Sequence, residues 1–168
     1  MKRKIVLILL IVMCILWIGF IFSNSMENGM ESTEKSQGVT RFLNNVASAL
    51  GYKKTISHKF VRSLAHFVEF AVLAVLSASA ISVFIYPRVR YRTSLALILP
   101  LLSLPFCAVI ASVDETIQKF SQDRASQFSD IILDSFGALC GILFFILSYL
   151  IFIIIRNKYT VKRQKEMS

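Results

Sequence analysis

Three groups of ionisable residues stand where an otherwise apolar sequence has little ordinary use for them. The first is Arg62, His66 and Glu69, spaced i, i+4 and i+7, so a helix would carry all three on one stripe. The second is Asp114, Glu115 and Gln118, and the third runs from Arg124 and Ser126 to Asp130 and Asp134. A histidine titrates near neutrality and can act as general acid or base. That makes His66, with Glu69, Asp114 and Glu115, the candidate catalytic set, in which Glu69 or Asp114 would orient the imidazole. Guanidinium groups hold phosphate or carboxylate through paired hydrogen bonds. Arg62 and Arg124, with Gln118, Ser126, Asp130 and Asp134, therefore make the candidate ligand-binding set. Asp114, Glu115 and Asp130 can alternatively bind a divalent metal through oxygen ligands.

Each residue also has a plainer use. His66 can be a satisfied buried histidine, and Glu69 a partner for Arg62 or Arg124. Asp130 can complement a helix dipole behind Ser129 as N-cap, and Asp114 and Glu115 can be solvated loop acids. No G-x-S-x-G and no H-E-x-x-H occurs, so no motif of nucleophile and base decides for an enzyme.

The elements that must position these groups are apolar. Of 168 residues, 55% are hydrophobic, and the mean hydropathy is +0.65. A membrane-spanning helix needs about 20 mostly apolar residues. Four stretches qualify: 5–22 and 94–113 without a charge, 67–86 with only Glu69, and 131–155 with only Asp134. Pro100 and Pro105 predict a distorted third helix, because each removes a backbone hydrogen bond. The first stretch, behind Lys2, Arg3 and Lys4, is expected to be an uncleaved helix, being long for a signal peptide with only a weak cleavage site at Ser23 to Ser25. Between the first two stretches, Ser23 to Gln37 is polar and turn-prone. Val39, Phe42, Leu43, Val46 and Leu50 then follow helical spacing, predicting an amphipathic helix over 39–50 that lies on the membrane surface or packs on its neighbours. The expected fold is an all-α membrane protein, one domain over 1–168, with four transmembrane helices and this short helix in the outer loop.

The net charge of +9 is distributed as short basic clusters beside apolar runs, not as a nucleic-acid-binding stripe. Lys2, Arg3, Lys4, Arg88, Arg90, Arg92, Arg156, Lys158, Lys162, Arg163 and Lys165 all fall on the side of the termini, where the only acid is Glu166. The positive-inside rule then puts both termini in the cytoplasm and residues 23–61 and 114–130 outside. Cys14, Cys107 and Cys140 lie inside apolar runs and read as small hydrophobes. With this topology the three polar groups reach the same side of the membrane. Intramembrane charges face a bundle interior or a wet cavity, so one outward-opening polar pocket is expected. Gly137 and Gly141, on the stripe of Asp130 and Asp134, would let a neighbouring helix approach closely.

The chain resembles the VanZ-like family of small bacterial membrane proteins over about residues 10 to 155. The matching pieces are "IFSNSMENGMESTEKS", "RSLAHFVEFAVLAVL" and "SVDETIQKFSQDRASQFSDIILDSFGALCG". The family more often has Asn where Asp134 stands. It is named for a protein associated with low-level teicoplanin resistance in Gram-positive bacteria. The resemblance thus implies a cell-envelope protein, with a membrane lipid or lipid-linked wall intermediate, or a second membrane protein, as its expected partner. It supplies no reaction. The alternative is a non-catalytic scaffold or partner-binding protein whose polar cluster is structural. The shortage of helices and of internal repeats argues against a transporter.

Overall fold

The computed structural model describes residues 1–27, 29–51, 55–89, 93–121 and 128–166. All of its elements are helical: α1 (Lys2–Met26), α2 (Gly29–Ala49), α3 (His58–Val89), α4 (Thr93–Ile98), a 3-10 turn (Leu99–Leu102), α5 (Ser103–Phe120) and α6 (Phe128–Glu166). Among the described residues, four helical stretches are long and apolar enough to cross a membrane, Lys2–Met26, His58–Pro87, Ser94–Phe120 and Phe128–Arg156.

The proline prediction has a local outcome. Pro100 opens the 3-10 turn that separates α4 from α5. Pro105 falls in the first turn of α5, where the amide it lacks would have had no partner within the helix. Helices α1, α2, α3 and α6 all extend beyond their apolar stretches. α2 begins at Gly29, well before the 39–50 stretch, and α6 continues through the basic segment to Glu166. Ser129 lies in the first turn of α6, and its Oγ donates to Asp130 Oδ1 at 3.4 Å.

α3 and α5 form the middle of the bundle. α1 packs on both from one side and α6 on both from the other. The buried core is small: Ile21, Phe70, Leu73, Ala74, Cys107, Ala111, Ala138 and Ile142. Large apolar residues such as Leu16, Phe144 and Leu147 are more than half exposed, while small ones are buried between helices. This inside-out distribution suits lipid, where close backbone approach and not water exclusion holds helices together.

The tightest approach is between α3 and α6. A Cβ on Gly137 would strike the Phe67 carbonyl oxygen, and one on Gly141 the Ala71 carbonyl oxygen. Both contacts advance four residues on each helix, so α3 and α6 run parallel in register. α2 is tied down by Asn44, whose side chain accepts from the Ile56 amide at 2.7 Å and donates to the Ile56 carbonyl at 3.1 Å. Its Val39, Phe42 and Val46 are exposed, as is Leu50 just past its end, while Leu43 is half-buried. Most of the apolar stripe is therefore open, as in a helix lying at a membrane surface.

Candidate functional site

The parallel packing of α3 and α6 determines which side chains meet. At 1.5 Å per residue, His66 lies about 12 Å along α3 from His58, and Asp134 about 9 Å along α6 from Phe128. Asp114 lies about 9 Å back from the end of α5 at Phe120. Three helices thus bring an imidazole and two carboxylates to one depth. Nitrogen or oxygen atoms of His66, Asp114 and Asp134 come within 4.8 Å of one another. Asp114 is fully buried and Asp134 is 1% exposed.

Gln118 organises the side of this group nearest the helix ends. Its Nε2 donates to Asp114 Oδ2 at 2.9 Å and to Ser25 Oγ at 3.3 Å. Its Oε1 accepts from Arg62 Nη2 at 3.3 Å. One amide therefore joins α1, α3 and α5, using the donor and acceptor sites that an amide offers. On the other side, His66 Nδ1 stands 3.5 Å from Glu69 Oε2. Glu69 Oε1 accepts from Asn24 Nδ2 at 2.8 Å, and its backbone carbonyl accepts from Trp17 Nε1 at 2.9 Å. Ser121 Oγ adds a bond to the Ser25 carbonyl at 2.9 Å.

Of the residues singled out from sequence, Arg62, His66, Glu69, Asp114, Gln118 and Asp134 come together in this one cluster, Asp134 by proximity to His66 and Asp114. Glu115 is buried, at 3% exposure. Asp130 lies in the first turn of α6 and is half-buried. Neither belongs to the grouping of potential metal ligands, which is His66, Asp114 and Asp134. The ligand atoms that lie within 4.8 Å of one another are those of His66, Asp114 and Asp134; Asp114 and Glu115, about 100° apart around α5, are both buried. Arg124 and Ser126 lie outside the described residues. Sequence reasoning missed Trp17, Asn24 and Ser25. Their signal was the polar run Ser23 to Ser25 closing the first apolar stretch, on the side where Arg62 and Asp114 emerge.

A bundle of four spanning-length helices around a half-buried His66 and the buried carboxylates of Asp114 and Asp134 has the architecture of a polytopic membrane protein. The family model for VanZ/LLP1 matches residues 10–155, and the chain belongs to this family. No curated protein and no solved structure matches it.

Proposed function

We propose that this VanZ-family envelope protein binds, at an outward-facing polar chamber, a phosphate- or carboxylate-bearing lipid-linked wall intermediate, and so contributes to tolerance of teicoplanin-type glycopeptides. Both termini are cytoplasmic in this reading. The observation that carries it is the convergence of His66, Asp114 and Asp134 beneath Arg62, which among the described residues bonds only Gln118. A cation at the rim suits an anionic headgroup. Below it, a histidine and carboxylates are groups that bind or transfer protons.

A second reading has its own support. The bonds from Asn24 and Trp17 to Glu69, and from Gln118 to Ser25, tie α1 to α3 and α5. Part of the cluster therefore acts as interhelical glue, as a scaffold would need.

Arg62→Lys separates the two. Lysine keeps the charge but not the planar fork. Losing one charge-assisted hydrogen bond costs about 1.5–3 kcal/mol, roughly a ten- to hundredfold loss of affinity. The variant is expected to accumulate and melt like the parent but to lower teicoplanin tolerance when expressed in a sensitive host. Unchanged tolerance at equal protein level would count against anion binding by Arg62.

Topology is tested by labelling in intact cells, with Cys14, Cys107 and Cys140 replaced by alanine. A cysteine at Ser36 is expected to react with an impermeant reagent, and one at Lys162 to stay unreactive until the membrane is opened. The reverse pattern would turn the chamber toward the cytoplasm and remove its access to external wall intermediates.

A further inference from the structure

We propose that His66, Asp114 and Asp134 form a binding site for a single divalent transition-metal ion, with Glu69 and Gln118 aiming two of its three ligands. The site lies within the chamber of the proposed function and deepens that reading.

Geometry comes first. The three ligand atoms come from α3, α5 and α6 and lie within 4.8 Å of one another. Ligands bonded to an ion at about 2.0–2.2 Å stand roughly 3–3.5 Å apart. Closing the remainder needs rotation of side chains, not movement of helices.

Burial supplies an independent reason. Asp134 is 1% exposed, and its Oδ1 has no hydrogen-bond partner among the described residues. No Lys or Arg among the described residues forms an ion pair with it. A carboxylate removed from water without a donor or a cation is strongly disfavoured. It stands beside a second buried carboxylate, Asp114. A divalent cation between them would compensate both at once, whereas the Gln118 amide reaches only Asp114.

The neighbours are arranged as metal sites require. A ligating histidine commonly presents its other ring nitrogen to a carboxylate, which fixes its orientation. Here Glu69 Oε2 stands 3.5 Å from His66 Nδ1, an approach that gives the ligand role in this proposal to Nε2. Glu69 is itself held by Asn24. Asp114 is fixed by the Gln118 amide at 2.9 Å. One imidazole with two carboxylates suits zinc, manganese or ferrous iron better than magnesium or calcium, which favour oxygen-only sets. Three protein ligands also leave a coordination position open to water or to an anionic ligand, below Arg62.

The test uses the full-length protein purified in detergent, stripped with a chelator and titrated with zinc or manganese alone. Elemental analysis after dialysis is expected to find one ion per chain, with an upward shift in melting temperature. His66→Gln and Asp134→Leu are expected to lose both. Glu69→Gln is expected to keep the stoichiometry and weaken affinity about 10–100-fold. A wild-type chain that retains no ion and shows no shift overturns the proposal, as does undiminished binding by both ligand variants. Should those variants fail to fold, cobalt replaces zinc in the wild-type chain, and absence of a ligand-field absorption band is the overturning result. No lipid is present in these titrations. A chain that binds the ion but no anionic lipid therefore supports the metal site while refuting the proposed function, and the converse result refutes the metal site alone.

Discussion

Alanine in place of Gly141 is expected to destabilise the bundle by about 1–3 kcal/mol, the usual cost of overfilling a packed interface. Valine is expected to prevent recovery of folded protein. The new Cβ would overlap the Ala71 carbonyl oxygen and stand 2.9 Å from its carbonyl carbon and 3.0 Å from its Cα. These are backbone atoms in the middle of a helix, and they cannot rotate away as the end of a side chain can. α3 and α6 would have to separate along the most extensive interface in the molecule. Against a total stability of about 5–15 kcal/mol, that is a large loss. Separation would also draw His66 away from Asp134, so metal affinity should fall with stability. Gly19 and Gly38 are the controls. Nothing lies within 4 Å of a Cβ at either position, and neither has the positive φ found at Gly51. Alanine there should be neutral or gain about 0.5–1 kcal/mol from its better helix propensity. Melting of the four proteins in one detergent checks the contrast, and a Gly141→Ala protein as stable as Gly38→Ala would show that the two helices are not in contact there.

The same two glycines show what was legible in the sequence. Their spacing, on the stripe of Asp130 and Asp134, announced a close helix contact, and hydropathy alone placed four spanning helices. Spacing did not say which helix would fit against them; that depended on Phe67 and Ala71 presenting backbone at matching intervals. Helix ends were less legible. Residues 29–38 have no apolar period for a pattern to detect, yet α2 starts at Gly29 because a helix can be polar all round when tethered, here by Asn44 to Ile56.

Within the site, the stripe Arg62, His66 and Glu69 was correctly placed on one helix face, but its members serve different partners. Arg62 reaches Gln118 on α5, and Glu69 reaches Asn24 on α1. Adjacency in sequence is not adjacency around a helix: Asp114 and Glu115 stand about 100° apart on α5, while Asp114 and Gln118, four apart, converge. α1 contributed polar groups that its apolar composition concealed: Trp17 within the apolar run, and Asn24 and Ser25 in the last turn.

Asp134→Asn, measured in the presence of chelator, is expected to raise stability while abolishing or sharply weakening metal binding and lowering glycopeptide tolerance. Asparagine is nearly isosteric, so packing against α3 is preserved. It removes one of two carboxyl groups whose oxygens lie within 4.8 Å in a buried setting. If both are ionised, two unit charges at that distance repel by about 3 kcal/mol at an effective dielectric constant near 20. If one is protonated, Oδ1 of Asp134 still lacks a donor among the described residues, and a buried acceptor left unsatisfied costs about 1–3 kcal/mol. Either state makes the aspartate unfavourable for folding, and a residue kept at such a cost is more readily explained by a ligand than by packing. A gain of about 1 kcal/mol would raise the melting temperature by about 2–4 °C for a chain of this size. The opposite outcome is informative in its own right. If Asp134→Asn melts lower in chelator, with tolerance falling only as protein level falls, then the carboxylate is an interhelical tie like Glu69, and the scaffold reading of the cluster displaces the binding site.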